Sequence, residues 1–394
     1  MKLTEKKEKK FFSVKDTLFS LEEISDILSS CKKCGKCQSV CPVFENTGFE
    51  HHTARGKISL LQGLEKELLF DKSKIEENLK VCLLCGKCGE ACPRNIDTKT
   101  LFIKSRLILN DFKQKSFIKK NIIRFFIAFP KIKNFIFGNQ KIQNKNFSGK
   151  KVLFFSGCLF DQFYRDKTLK AFDIFNKLGY NTSLVSGECC GIPFLSSGDM
   201  KKYRFSRERL YGKIIDEKPD FVVSGCPTCI DTIKKVWSEF SYDDLILSEK
   251  IKVMDFHEFL YSDLKDLNFS AEKTENMKIK WHTPCHIKSL GIENEARFLV
   301  DKFSGCSIEK GKEDSCCGFG GTFSMEHPLM SMSVLDKRMK SLDMKKDELL
   351  VTGCPACMMQ LGRSSSVKKE NILHTIDLVF KNIDKISGNQ EEKI

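Results

Sequence analysis

Five cysteines of this chain recur, in the same order, about a third of the sequence further on. Cys158, Cys189 and Cys190 stand 127 residues before Cys285, Cys316 and Cys317, and Cys226 and Cys229 stand 128 residues before Cys354 and Cys357. In both copies the adjacent pair runs into glycine, as Glu188-Cys189-Cys190-Gly191 and as Ser315-Cys316-Cys317-Gly318. A repeat of this length specifies two folded units of one design, each built round a set of thiols. Five is the informative number, because a structural zinc is filled by four ligands and has no use for a fifth. Neighbouring residues also point their side chains apart, so two adjacent thiolates reach different metal ions more readily than they chelate one. Each copy therefore reads as a polynuclear iron–sulfur site.

A second duplication lies upstream. Cys31, Cys34, Cys37 and Cys41, followed by Pro42, are spaced C-x₂-C-x₂-C-x₃-C-P, and Cys82, Cys85, Cys88 and Cys92, followed by Pro93, repeat the pattern. Three thiolates on a tight loop, with Gly35 or Gly86 for the turn, suit three irons of a cubane. In two-cluster ferredoxins the fourth cysteine of such a run serves the other cluster. The expected ligand sets are thus Cys31, Cys34, Cys37 and Cys92 for one [4Fe–4S] cluster, and Cys82, Cys85, Cys88 and Cys41 for the second. Zinc knuckles rarely use this triple spacing. Between the motifs, Ile58, Leu61, Leu64 and Leu68 after Thr53, then Ile75 and Leu79, recur at helical period. That predicts a helix-rich module, with Asp97 or Thr98 capping a further helix through Leu101, Leu107 and Ile108.

Length and composition bound the rest. The chain has 394 residues, 41% of them hydrophobic, enough for two or three packed domains. Its nineteen cysteines come without an apolar signal segment or a run near the roughly 20 residues of a spanning helix. The expectation is a cytoplasmic protein whose thiols are metal ligands rather than disulfides. Cys306 alone falls outside the motifs and reads as an ordinary half-buried thiol. The net charge of +14 is concentrated: Lys113 to Lys151 holds eleven Lys or Arg and no Asp or Glu, mixed with runs such as Phe125-Phe126-Ile127. Two readings suit it, peripheral contact with an anionic membrane or packing of its apolar residues between the halves of the protein. No nucleic-acid motif or stacking platform accompanies the charge.

From Lys151 short apolar runs alternate with amphipathic stretches. Val152 to Phe155 runs into Cys158, Thr182 to Val185 leads to Cys189, and Phe221 to Val223 leads to Cys226. Ile279 to Trp281 runs into Cys285, and Leu349 to Val351 into Cys354. Strand, cysteine, helix is the order of a doubly wound α/β unit with ligands at the carboxyl ends of its strands. The fold class is α + α/β, a helical two-cluster ferredoxin domain followed by two pseudo-repeated Rossmann-like cysteine-rich domains. The expected boundaries are 1–27 for a tail and leading helix, 28–110, a linker over 111–150, then 151–265 and 276–394. Cys226-Pro227-Thr228-Cys229 and Cys354-Pro355-Ala356-Cys357 have the form of redox dithiols, but that reading leaves the other six cysteines of the copies unexplained. Gly318-Phe319-Gly320-Gly321 lacks a dinucleotide fingerprint and reads as backbone approaching a bulky group. His282 and His286 bracket Cys285 as hydrogen-bond donors or as packing groups, and His257 and His374 read as structural.

Together these motifs resemble the cysteine-rich "CCG" iron–sulfur proteins. These include the iron–sulfur subunit of glycolate oxidase, lactate-utilisation proteins, and the cysteine-rich subunits of anaerobic glycerol-3-phosphate dehydrogenase and of heterodisulfide reductase. Cys316 to Ser324 and Ala54-Arg55-Gly56-Lys57-Ile58 are most similar to the glycolate and lactate members, while two complete five-cysteine sets resemble heterodisulfide reductase. The resemblance implies two [4Fe–4S] clusters and one or two noncubane clusters at Cys158, Cys189, Cys190, Cys226, Cys229 and at Cys285, Cys316, Cys317, Cys354, Cys357. It further implies electron transfer from an FAD-containing 2-hydroxy acid dehydrogenase subunit to a quinone or other acceptor, or, in the heterodisulfide reductase manner, reduction of a disulfide. No flavin or nicotinamide motif occurs in the chain, so oxidation of an alcohol carbon belongs to a partner.

Overall fold

The computed structural model describes residues 20–110, 149–240, 251–267, 269, 271, 278–310, 315–345 and 347–387. The basic stretch from Lys113 lies outside the described residues up to 148, as does the expected tail up to residue 19.

Helices dominate the first part. Glu22–Ser29 buries Ile24 and Leu28 against Ile58, Leu61 and Leu64 of Ala54–Glu65. The latter helix starts where expected, with the Thr53 hydroxyl accepting from the Gly56 amide at 3.1 Å. It stops before Leu68. Glu67 takes a positive φ of 55°, the Leu68 amide turns back to the Gly63 carbonyl, and Leu68 is left 71% exposed. Lys72–Lys80 follows, capped by Asp71, and Thr98–Asn110 is capped by Asp97, which accepts from the Thr100 amide at 3.0 Å. The two cysteine loops fold alike. Gly35 and Gly86 sit at φ of 84° and 82°, each opening a single helical turn, Lys36–Ser39 and Lys87–Glu90.

Two parallel sheets follow. β1 (Lys151–Phe155), β2 (Asn181–Val185), β3 (Phe221–Ser224) and β4 (Lys252–Asp255) lie in the order β2-β1-β3-β4. β5 (Lys278–His282), β6 (Ser307–Lys310), β7 (Leu349–Thr352) and β8 (Ile372–His374) lie in the order β6-β5-β7-β8. Every described pairing is parallel. The central strands β1 and β5 are buried on both faces. In each sheet the two inner strands deliver a cysteine at their carboxyl ends, Cys158 and Cys226 in one, Cys285 and Cys354 in the other. The helices packed on these sheets include Arg165–Lys177 and Met200–Glu217 in the first half, and Glu293–Ser304 and Pro328–Leu342 in the second.

The halves meet through buried polar contacts. His257 Nε2 and Thr375 Oγ1 are 3.0 Å apart, and Lys167 and Lys170 of the first half both reach Asp377 of the second. The helical part is tied in by Arg106, which donates to the carbonyls of Leu79 and Cys82 and, at 2.8 Å, to that of Ser196. No helix among the described residues is long and apolar enough to cross a membrane.

Candidate metal centres

Burial orders the upstream thiols. Cys34 is exposed, flanked by the exposed Lys32, Lys33 and Lys36, whereas the matching Cys85 forms part of the wall of an internal cavity. Cys31, Cys37, Cys82, Cys88 and Cys92 pack on one apolar core, while Cys41 and Cys85 pack with Val43, Leu83, Cys316 and Phe323. The Cys41 thiol lies in the field of Cys82 and of Lys57, and Cys37 in that of Cys31. Burial raises the Cys85 thiol well above its usual range, and burial with the neighbouring Cys82 pushes Cys88 up to about 12, although Thr98 Oγ1 is within 2.9 Å of its sulfur. Thiols so placed do not ionise on their own; a bound cation supplies the missing charge.

The surroundings fit an anionic thiolate cluster. Lys57 and Arg106 are 1% and 5% exposed and form no ion pair with a carboxylate among the described residues. Burial lowers the pKa of both, and the charge that opposes this most is Cys82. A buried cation without a counter-ion is costly, and a cluster held by Cys82 and its neighbours would supply that counter-ion.

All ten cysteines of the downstream repeat line one cavity of about 450 Å³, together with Cys85. Nine of their sulfurs, all but that of Cys285, form a continuous chain. Cys158 touches Cys189, Cys190 touches Cys229, and Cys226 of the first half touches Cys354 of the second. Cys354 continues to Cys357, which stands 3.4 Å from Cys317. All nineteen cysteines are free thiols. The donors are thiols, largely buried, with one His282 ring nitrogen within 4.8 Å of the Cys317 and Cys357 sulfurs, a set that suits soft iron–sulfur ligation.

The glycine loop, expected to bring backbone close to a bulky group, packs against the upstream module. A Cβ at Gly320 would stand 2.7 Å from Leu83 Cδ2 and 3.3 Å from Leu83 Cα, so the loop seats the second half on the Cys82-to-Cys85 turn. His286 lines the cavity, with Nδ1 at 3.1 Å from Thr228 Oγ1 and at 3.5 Å from Cys285 Sγ. Its neighbour Asp231 is buried and accepts from Lys99 and Ser289. His282 is buried beside Cys317 and Cys357, with Arg338 behind it. His257 and His374 are buried at the contact of the halves, outside the cavity lining. Lys57, Arg106, Asp231 and Arg338 carry no sequence signal of a site, since charged side chains read as solvent-facing until their burial is known.

Comparison with known proteins defines the class. A family model for a 4Fe-4S dicluster domain matches residues 27–96, and a model for a cysteine-rich domain matches residues 152–234 and again residues 279–362. The chain belongs to the iron–sulfur proteins that join a 4Fe-4S dicluster domain to two cysteine-rich domains. Among its relatives is a subunit of the fumarate reductase (CoM/CoB) of Methanothermobacter marburgensis, 26% identical over 90% of this chain and 72% of that one. Another is a probable glycolate oxidase iron-sulfur subunit of Bacillus subtilis, 22% identical over 90% of this chain and 94% of that one. A third is a subunit of the dihydromethanophenazine:CoB–CoM heterodisulfide reductase of Methanosarcina mazei, 24% identical over 89% of this chain and 93% of that one.

Proposed function

We propose that the chain is the iron–sulfur electron-transfer subunit of a flavin-dependent 2-hydroxy acid dehydrogenase or oxidase complex, glycolate or lactate being the substrate class. In this reading a flavoprotein partner oxidises the acid, and electrons leave to a quinone or other acceptor. The two [4Fe–4S] ligand sets are Cys31, Cys34, Cys37, Cys92 and Cys82, Cys85, Cys88, Cys41, and the ten downstream cysteines hold one or two noncubane clusters. Bound clusters supply one-electron carriers through changes of iron valence. The two sheets, with their like strand orders, are read as Rossmann-like pseudo-repeats. The carrying observation is the graded burial: the Cys34 loop faces solvent, Cys85 stands in the cavity wall, and the ten-thiol cavity lies beyond it. That order suits a conduit with one end open to a partner. Lys57, Arg106 and Arg338 lie along it as fixed positive charge that favours the reduced states.

One observation favours a second reading. Both halves keep all five cysteines, and the ten face a single cavity large enough for a small molecule. Two of the relatives above carry CoM and CoB in their names, one of them as a heterodisulfide reductase. Here two electrons and two protons would convert a disulfide to two thiols in the cavity.

Copurification from the native host separates the two. The first reading expects a flavoprotein to come down with the chain, and no 2-hydroxy acid oxidation with an artificial dye until that partner is added. Rapid reoxidation of the reduced, isolated chain by a small disulfide, stopped by Cys189→Ser or Cys316→Ser, reverses the ranking.

A further inference from the structure

The two halves match thiol for thiol but differ behind the thiols. His282 closes β5 where Phe155 closes β1, each three residues before the first cysteine of its set. In the second half Arg338 Nε donates to His282 Nδ1 at 3.0 Å. A guanidinium can only donate, so Nδ1 accepts and the proton of the neutral ring sits on Nε2. That Nε2 is buried and makes no hydrogen bond to a nitrogen or oxygen among the described residues, while the ring interacts with the Cys317 thiol. The ring also offers a nitrogen within 4.8 Å of both Cys317 Sγ and Cys357 Sγ. Both side chains are fixed by burial, His282 at 1% and Arg338 at 2% exposure.

The first half is apolar at the same place. Phe155 is fully buried, and its ring lies 3.8 Å from the point where a Cβ on Gly157 would stand, itself 3.1 Å from Cys229 Sγ. The matching helices can be set in register by their close approach to the glycine after each cysteine pair. A Cβ on Gly191 would stand 3.3 Å from the Tyr203 carbonyl oxygen, and one on Gly318 2.6 Å from that of Ser331. Tyr203 thus corresponds to Ser331, and Leu210, fully buried, to Arg338. Thr232 lies near Cys190, but its hydroxyl donates to the Thr228 carbonyl at 2.7 Å. The first half therefore has an aromatic ring and a leucine where the second has an imidazole N–H backed by a cation.

We propose that His282, oriented by Arg338, is a positioning residue that donates a hydrogen bond to the Cys317–Cys357 sulfur pair and makes the second-half centre the easier of the two to reduce. This rests on the reading that both five-cysteine sets hold iron–sulfur clusters. An N–H aimed at a ligand sulfur, with fixed positive charge behind it, stabilises the more negative, reduced state and raises the reduction potential. Electrons reaching the shared cavity then collect on the side of Cys285, Cys316, Cys317, Cys354 and Cys357, so the halves act in sequence although their thiols are duplicated.

The test is a redox titration of the anaerobically prepared full chain followed by electron paramagnetic resonance, with iron and sulfide measured in every preparation. The second-half signal is the one lost in Cys357→Ser. His282→Phe, which copies the first half, should lower the midpoint potential of that signal and leave the first-half signal in place. Arg338→Met should lower it less, and His282→Gln, which keeps an N–H donor, should restore part of the shift. An unchanged potential in His282→Phe at full iron content overturns the proposal. Iron content that stays the same in Cys357→Ser and in Cys190→Ser overturns the cluster reading instead. If His282→Phe loses iron, the wild-type protein decides: an exchangeable proton and an imidazole nitrogen coupled to the second-half centre support the proposal, and their absence overturns it.

Discussion

Gly320 lies directly against Leu83. With φ at +57°, it brings the loop after Cys317 so close to the turn between Cys82 and Cys85 that an added Cβ would stand 2.7 Å from Leu83 Cδ2 and 3.3 Å from Leu83 Cα. Gly321, at φ +60°, has nothing within 4 Å of its own Cβ position. The neighbours thus separate contact from conformation. Gly321→Ala should cost about 1 kcal/mol for the left-handed backbone alone, whereas Gly320→Ala adds overpacking of about 1–3 kcal/mol. Denaturant titration of the two variants checks the difference. Equal losses would mean that the approach to Leu83 is not tight.

Lys57 gives a second prediction. It is 1% exposed, its ammonium donates to the His52 carbonyl, and the charges nearest to it that favour its protonation are those of Cys82 and Cys41. Lys57→Met keeps the length and removes the charge. The potential of the centre assigned to Cys82, Cys85, Cys88 and Cys41 should fall, while that of the centre assigned to Cys31, Cys34, Cys37 and Cys92 stays, as read by redox titration. A shift of both centres alike would point to general loosening.

The crossed ligand assignment is open to a direct check. Cys41 follows the first loop in sequence, yet its thiol lies in the field of Cys82, on the side of the second. Cys41→Ser should therefore perturb the spectrum of the second centre, and Cys92→Ser that of the first. The opposite pattern would show that each run of four serves its own cluster.

Much of this site was legible because cysteine spacing is chemistry written directly into sequence. The helix start after Thr53, the cap at Asp97, and the strands that lead to Cys158, Cys226, Cys285 and Cys354 could all be placed from the residues. What escaped depends on tertiary packing. β4, β6 and β8 have four, four and three residues, too few for a period to show, and three of the four residues of β6 (Ser307–Lys310) are polar. Leu68 kept the helical spacing but fell beyond the turn at Glu67. That ten thiols of two distant copies face one cavity, that Lys57 and Arg106 are buried beside Cys82, and that Arg338 is buried beside Cys317 and Cys357, follows from how the units pack.

Acid should weaken the contact between the halves. Asp377, in the second half, receives Lys167 at 2.8 Å and also Lys170, both from the first half. Burial pushes its carboxyl upward, but the two lysines outweigh this and hold it below the usual carboxylate range. Because the folded value lies below the unfolded one of about 3.9, its contribution is complete above that pH and is lost as pH falls through the lower, folded value. Asp377→Asn should thus cost about 1.5–3 kcal/mol near neutrality, with a constant gap to wild type from pH 7 to 5 that narrows only below about pH 4. A gap that already closes between pH 7 and 5 would place the titrating group elsewhere.

On the proposed electron-transfer function, the exposed Cys34 loop predicts the character of the partner that meets it. Lys32, Lys33 and Lys36 surround the exposed Cys34, and Arg55, which braces this loop through the Lys33 carbonyl, is paired with Glu50 at 2.8 Å. The counterpart Lys87 is half-buried, so the basic rim belongs to the first loop alone. Such a rim steers an acidic surface toward the cysteine loop, and steering of this kind raises association rates by about 10- to 1,000-fold at low ionic strength. It fades as salt shortens the screening length to about 8 Å. In the variant carrying Lys32→Glu, Lys33→Glu and Lys36→Glu, reduction by the native partner should slow at least about tenfold at low salt. Its rate should also stop falling with added salt, while reduction by dithionite stays as in wild type. Stopped-flow measurement of both reductions checks this. A partner-driven rate that survives the charge reversal would mean that electrons enter at another face.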